Sequence, residues 1–289
     1  MRKRDFVTMA GPSILVMLVL LTLPIAFTVM WSFQSVDYSG GGSWVGLENY
    51  TRAIKDSEFR SAVVFTSVFA LAQTVLVVVL GYALALLMNR ARRGRSVFLG
   101  LILVPYVIPA VIACTAFGWL FDDNFGGLVN FVLEHVIGTR FNWFSDTWPN
   151  RVLLMMAVVW ISVPFAMIIF LAALKGFPGE LRDAAMVDGA GWWQQQVYIV
   201  VPYIRPMITF VALISTMDGL RLYDPLIPLA PSAAANGNLS ISLFVFQRAF
   251  ARANQDLGLG SAVNVLMILA MVALTLPLLR GISTQGRSR

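Results

Sequence analysis

Few side chains in this 289-residue chain could perform covalent or metal chemistry. There is one cysteine, Cys114, and one histidine, His135, which are too few for a redox motif or a metal cluster. None of the three lysines follows a glycine, so the Gly-Lys-Ser/Thr step of a phosphate-binding loop is absent. These counts disfavour an enzyme, and they predict neither a catalytic residue nor a metal site.

A second group of polar residues interrupts otherwise apolar sequence. Asp218, Arg221 and Tyr223 occur together, and Trp160 and Ser162 occur in an earlier apolar stretch. A carboxylate and a guanidinium three residues apart share a helical face, and polar residues within apolar sequence are costly and therefore candidates for a solute path. They could equally form a structural ion pair, and Trp160 could simply pack between helices. Both interpretations stay open at the level of sequence.

The composition is that of an integral membrane protein. Hydrophobic residues make up 58% of the chain and charged residues 12%, with a mean hydropathy of +0.76. Soluble domains carry roughly 25% charged residues, so this chain lacks the polar surface that a water-soluble fold of its size needs.

Six stretches have the ~20 apolar residues that a helix needs to cross a bilayer. They predict an all-α polytopic fold in a single membrane domain spanning residues 1–289, with the first stretch as a retained anchor. A cleaved signal peptide is the alternative for that stretch. The six stretches are 11–33, 62–88, 97–120, 152–174, 204–227 and 262–279.

The distribution of charge predicts the orientation. With the N-terminus in the cytoplasm, 13 of the 21 basic and 4 of the 15 acidic residues fall inside, which leaves 8 and 11 outside. Basic residues concentrate in cytoplasmic loops, and four arginines lie between residues 90 and 95 alone. Both termini are therefore expected in the cytoplasm.

One inner segment, residues 175–205, is polar yet has the pattern of ordered helices. Pro178 suits a helix start, and Gly189 and Gly191 interrupt the helical pattern before Trp192 begins a second short helix. Pro202 and Pro206 are then expected to open the fifth span. The pattern predicts a helix–turn–helix hairpin on the cytoplasmic face, named the 175–205 hairpin below.

This segment resembles the EAA loop of binding-protein-dependent ABC importer permeases. The match is Asp183-Ala184-Ala185, then Gly189, then Ile199-x-x-Pro202, with Asp183 standing where glutamate is usual. Two further stretches, Trp44–Tyr50 and Met217–Asp224, resemble motifs of the carbohydrate branch of maltose/trehalose-type permeases. The loop 228–240 departs from the family pattern, and its structure is not predicted.

The resemblance implies the type I ABC importer permease fold and a set of partners. A second permease subunit, two cytoplasmic ATP-binding subunits, an extracytoplasmic solute-binding protein and membrane lipid would surround this chain, and no nucleic acid is expected. ATP and Mg²⁺ would be bound by the ATPase subunits, so this chain needs no cofactor of its own. The residues expected to couple to the ATPase are Glu180, Asp183, Ala184, Ala185, Asp188, Gly189 and Pro202.

The resemblance also implies a sugar path in the bacterial inner membrane, with Trp160, Ser162, Asp218, Arg221 and Tyr223 as the substrate-path residues. A permease of the same class for glycerol phosphate or a polyol is the alternative. An intramembrane enzyme, a channel or a secondary carrier is less consistent, because none of these needs an ATPase-docking hairpin.

Overall fold

The computed structural model describes residues 3–37, 42–91, 93–122, 127–251 and 255–285, and its architecture is almost entirely helical. Six long or paired helices dominate: α1 Lys3–Ser32, α3 Ser57–Arg90, the pair α4 Arg95–Val107 and α5 Ala110–Phe121, α7 Thr147–Lys175, α10 Val201–Leu220 and α13 Leu257–Gln285. Shorter helices are α2 Glu48–Lys55, α6 Leu128–Ile137, α8 Gly179–Val187, α9 Trp192–Gln195, α11 Leu226–Leu229 and α12 Ile241–Phe246. One small antiparallel ribbon joins β1 Gln34–Val36 to β2 Gly42–Trp44.

Five of these helices are long and apolar enough to cross a membrane, and the α4–α5 pair provides a sixth span if it is counted as one. The six predicted spans are therefore present. The third is broken rather than continuous, because its axis bends by 101° between Val107 and Ala110. Pro105 and Pro109 explain the break, since each lacks an N–H group and Pro109 also forces its predecessor out of the helical region.

The fifth span differs from the prediction at both ends. The helix begins at Trp192, passes through a π-helical turn at Gln196–Val200 and continues as α10, so Pro202 lies inside it instead of opening it. A π turn accommodates the hydrogen bond that a proline withdraws from the preceding turn. The helix then stops at Leu220, seven residues before the predicted end of 227, and Arg221 adopts a non-helical cap conformation.

The described residues group into two compact units, one of which contains residues 1–60 and 241–273. In this unit two carboxylates each cap a helix and bind an arginine. Asp56 accepts backbone N–H groups of the first turn of α3 and lies 2.6 Å from Arg248 Nη2. Asp256 accepts an N–H of α13 at 2.9 Å and lies 2.6 Å from Arg52. Both helix starts are thus fixed by a charge-assisted contact.

Asn49 is also a structural residue of this unit. It lies in the stretch Trp44–Tyr50, which resembles a permease motif. Its side chain is almost fully buried and donates hydrogen bonds to the carbonyls of Ser32 at 3.1 Å and Gln34 at 2.8 Å. Gly46 adopts a φ of +59°, which favours glycine, in the turn that leads to α2. The motif therefore holds the end of α1 to the start of α2.

The second unit contains residues 61–240 and 274–289, and its core lies between α3 and α7. The two helices approach closely at Gly81, where a Cβ atom would lie 2.6 Å from that of Ala166. Phe170 and Val77 are fully buried beside this contact, and the ring of Tyr82 meets that of Phe170 edge-on. Small residues at such crossings are typical of helix packing in membranes.

The loop 228–240 is anchored by a buried network of asparagines in the second unit. Asn150, at the start of α7, donates to the carbonyls of Trp143 at 3.0 Å and Leu229 at 2.7 Å. Its oxygen accepts a hydrogen bond from Asn238 at 2.8 Å, and Asn238 in turn accepts one from Arg151. Both asparagines are fully buried, so these hydrogen bonds define the conformation of the loop.

Replacing Asn150 with alanine is expected to destabilise the protein by about 2–4 kcal/mol, because it leaves the carbonyls of Trp143 and Leu229 without this donor and removes one hydrogen bond of Asn238 in a buried site. The measurement is the midpoint of thermal unfolding of the purified protein. Asn142→Ala is the matched control, since Asn142 lies in the segment that precedes α7 and its side chain is exposed. Equal midpoints for the two variants would contradict the assignment.

Candidate functional site: a polar cavity and a cytoplasmic hairpin

The turn of the 175–205 hairpin has a defined geometry. The N–H of Ala190 donates to the carbonyl of Ala185 at 2.9 Å, and that of Gly189 donates to Met186 at 3.1 Å. With Gly189 at a φ of +77°, this is the Schellman motif that ends helices at a glycine. Gly191 then starts the second arm through a capping interaction with the Gln194 side chain at 2.7 Å.

The residues expected to contact an ATPase fall into two groups. Glu180, Asp183, Ala184, Asp188 and Gly189 are exposed on the first arm and its turn, and Pro202 is exposed in α10. Ala185 is buried inside the hairpin, so it supports the turn and presents no side chain to a partner. Large apolar side chains are exposed on both arms and the turn, including Val187 at 88% and Tyr198 at 76%.

A polar cavity of about 350 Å³ lies in the second unit, between α3, α7 and the end of α10. Four of the five predicted path residues line it, and Trp160 does not. Instead, Trp160 packs its ring against Phe117 at 5.2 Å between centroids, which is the packing alternative considered above. The lining residues are Gln73, Ala110, Val158, Ile161, Ser162, Asp218, Arg221, Leu222, Tyr223, Asp224 and Pro225.

The end of α10 positions most of the polar lining. Because the helix stops at Leu220, Tyr223 and Asp224 lie on an irregular segment and not on the helical face expected from the sequence. Ser240 fixes this segment by donating a hydrogen bond to the carbonyl of Leu222 at 2.6 Å, and Leu222 itself is buried. This hydrogen bond and the burial of Leu222 therefore hold the turn in place, and the polar side chains of the turn line the cavity.

A close helix contact sets the distance between the two main walls. A Cβ atom on Gly219 would lie 2.7 Å from the Cα of Ala70 and 2.9 Å from Oε1 of Gln73. The hydroxyls of Thr74 and Thr216 are in hydrogen-bond contact at 3.0 Å, one helical turn from the glycine. This contact places Asp218, the neighbour of Gly219, beside the α3 wall.

Gln73 is a further functional candidate in the wall of the polar cavity. Its side chain is 1% exposed, lines the cavity, and its Oε1 atom has no hydrogen-bond partner among the described residues. A buried polar atom without a partner costs about 1–3 kcal/mol.

The charged side chains that line the cavity do not form an ion pair with one another. Among the described residues, the ion pairs include neither Asp218 nor Arg221, although both line the same space. Two carboxylates, from Asp218 and Asp224, face one guanidinium. With the hydroxyl of Ser162 and the ring of Tyr223, the site offers acceptors, donors and an aromatic face, which suits a polar, uncharged solute.

The sequence matches the family model described as "Binding-protein-dependent transport system inner membrane component" over residues 77–282. The match includes α7, the 175–205 hairpin and the polar turn after α10, and it covers more than two thirds of the chain. The chain belongs to this family of transport components, and it is a membrane-embedded permease and not an enzyme.

Curated relatives align along almost the whole chain. The trehalose/maltose transport system permease protein MalF of Thermococcus litoralis is 28% identical over 270 residues, covering 93% of this chain and 90% of the relative. The diacetylchitobiose uptake system permease protein DasB of Streptomyces coelicolor is 29% identical over 280 residues, covering 93% and 84%.

The fold is similar to that of a solved transporter. One chain in the crystal structure of a bacterial ABC transporter involved in the import of the acidic polysaccharide alginate superposes with a TM-score of 0.83. The alignment covers 98% of this chain and 96% of that chain at 20% identity. The α-helical fold with six predicted spans is therefore that of an ABC importer permease.

Adding one methyl group at Gly219 is expected to force α10 away from α3. Gly219→Ala should lower the free energy of unfolding by about 1–3 kcal/mol, because the new atom meets backbone and not a flexible side chain. Thermal unfolding of the purified protein measures the change. Gly100→Ala, in α4 with open space around its Cβ position, is the control and should be neutral or slightly stabilising. Equal behaviour of the two variants would refute the close contact.

Proposed function

We propose that this chain is one of two permease subunits of an ATP-driven importer, and that it carries a neutral sugar through the polar cavity. An extracytoplasmic binding protein would deliver the sugar. Two ATPase subunits would drive transport from the cytoplasm. Residues 1–289 would act as one membrane domain, which is consistent with a family match that includes parts of both structural units.

The observation that carries this proposal is the polar cavity at the end of α10. Hydroxyl, carboxylate and guanidinium groups and an aromatic ring line it, and none of the carboxylates is neutralised by an ion pair with Arg221. Sugar hydroxyls both donate and accept hydrogen bonds, so they match such a mixed lining. Relatives named for trehalose, maltose and diacetylchitobiose transport support the same substrate class.

The charges also distinguish between solutes within the same transporter class. Two carboxylates against one guanidinium repel an anion, so glycerol phosphate fits this cavity less well than an uncharged sugar or polyol. The proposed cargo is therefore neutral, in contrast to the acidic polysaccharide named for the solved transporter of similar fold.

We further propose that both termini lie in the cytoplasm and that the 175–205 hairpin contacts the ATPase. The excess of basic residues over the whole side that would face the cytoplasm, 13 against 4 acidic residues, supports this orientation. Exposed apolar side chains of the hairpin give a partner a surface to bury, and the exposed Asp183 and Asp188 can pair with basic residues at its rim.

Substituting Asp218 with asparagine tests the sugar path. In the assembled transporter, D218N should weaken sugar uptake about tenfold or more, since hydrogen bonds to charged groups contribute about 1.5–3 kcal/mol. Asp146→Asn is the control, because Asp146 is exposed just before α7 and outside the cavity. The readout is uptake of radiolabelled sugars in vesicles, together with ATPase activity. The proposal fails if no carbohydrate stimulates ATP hydrolysis by the complex.

A bulky substitution on the 175–205 hairpin tests whether the hairpin couples the permease to the ATPase. Ala184→Trp places a large side chain on an exposed, ordinary helical position, so it should block ATPase docking without straining the turn. We expect the permease to assemble in the membrane while sugar-stimulated ATP hydrolysis and uptake fall together to background. Ala172→Trp is the matched control, because it adds the same indole at an exposed helical position outside the 175–205 hairpin. Normal transport by A184W would exclude this face from coupling.

A further inference from the structure

A second cavity lies beside the second arm of the hairpin and shares no lining residue with the polar cavity. This apolar groove, about 560 Å³, runs between the last half of α3 and the helix that begins at Trp192. Val78, Leu86 and Arg90 line it on one side, and Trp192, Val201 and Ile208 line it on the other. All of its lining residues belong to the second unit.

The walls of the groove suit hydrocarbon and not a polar solute. Arg90 lies at one end of the groove, and the hydroxyl of Tyr82 donates to Oε1 of Gln196 at 2.8 Å, so the latter two wall groups are already paired with each other. The remaining lining is aliphatic or aromatic. An occupant without polar atoms along most of its length therefore fits, because no wall group loses a hydrogen bond when it enters.

Arg90 gives one end of the groove a specific chemistry. Its guanidinium carbon lies 4.9 Å from the centroid of the Trp192 ring, so the arginine stacks on the indole. Stacking covers one face of the guanidinium and leaves its N–H edge free to bind a phosphate in a forked geometry. Among the described residues, no carboxylate forms an ion pair with Arg90.

The length of the groove corresponds to one leaflet. From Val78 to Arg90, α3 rises about 18 Å at ~1.5 Å per residue, and half of a ~30 Å hydrocarbon core is about 15 Å. Trp192 and Trp193 line the end of the groove at which Arg90 lies. Tryptophans concentrate at membrane interfaces, so this end is expected at the bilayer surface. A chain that follows the groove from Arg90 would end near the bilayer midplane.

We propose that the groove binds one anionic phospholipid, with its phosphate on Arg90 and an acyl chain along α3. The leaflet follows from the orientation proposed above, which places Arg90 at the cytoplasmic surface, where anionic lipids attract basic residues. Phosphatidylglycerol, with a single phosphodiester and two acyl chains, has this chemistry.

The test uses the intact transporter purified from nanodiscs that contain phosphatidylglycerol and phosphatidylcholine in equal amounts, with retained lipids counted by native mass spectrometry. Arg90→Gln should reduce phosphatidylglycerol retention about fivefold, the effect of one basic residue at an anionic surface. Ala83→Trp should abolish it, because Ala83 lines the groove and the indole fills it.

Two matched variants separate the groove from general surface charge and from added bulk. Arg93→Gln removes an exposed arginine that is three residues from Arg90 and does not line the groove. Ala172→Trp adds an indole at an exposed position near the C-terminal end of α7, also outside the groove. Both should retain phosphatidylglycerol like the unmodified protein. Lipid retention needs no sugar, so this outcome is independent of whether the cargo proposed above is correct.

The proposal is overturned by any of three results. Equal loss in R90Q and R93Q would mean diffuse electrostatic attraction, and normal retention in A83W would mean that lipid binds elsewhere. Equal retention of phosphatidylcholine would mean that Arg90 does not select a headgroup. Because R90Q changes only one exposed side chain, it stays informative even if A83W fails to assemble.

Discussion

The polar cavity depends on one close contact, between α10 at Gly219 and α3 at Ala70. Helices in a membrane gain little from burying apolar surface against each other, so their association rests on short-range packing and hydrogen bonds. A glycine permits the backbones to meet at a distance where any Cβ would collide. The contact lets Gln73 and Asp218 share one cavity and lets the hydroxyls of Thr74 and Thr216 join the helices nearby.

Features that depend on local sequence could be predicted. The apolar stretches mark six spans because hydrocarbon thickness fixes the number of residues needed, and each stretch contains a helix, although the third is broken and the fifth ends at Leu220. The turn at Gly189 was also predictable, since only a left-handed backbone conformation ends α8 there. The short helix at Leu128–Ile137 follows equally from its composition and length.

Other features depend on contacts between distant residues and were not predictable. The predicted span 204–227 runs past Leu220, but the helix ends there, and Arg221, Tyr223 and Asp224 line a polar cavity that only the folded chain creates. The conformation of 228–240 depends on a hydrogen bond from Asn238 to Asn150, which is 88 residues away. The direction of Trp160 depends likewise on Phe117, which belongs to another helix, α5.

The break between α4 and α5 has a consequence for solvent. Helix α5 starts at Ala110, on the wall of the polar cavity, and the first N–H groups of a helix have no partner within it. Unpaired backbone donors are not tolerated against lipid, but they are tolerated beside a water-filled space. We therefore expect water in the cavity when it holds no solute. A solute that enters must replace those water molecules group for group, and its hydrogen-bonding pattern, rather than its size alone, decides whether entry is favourable.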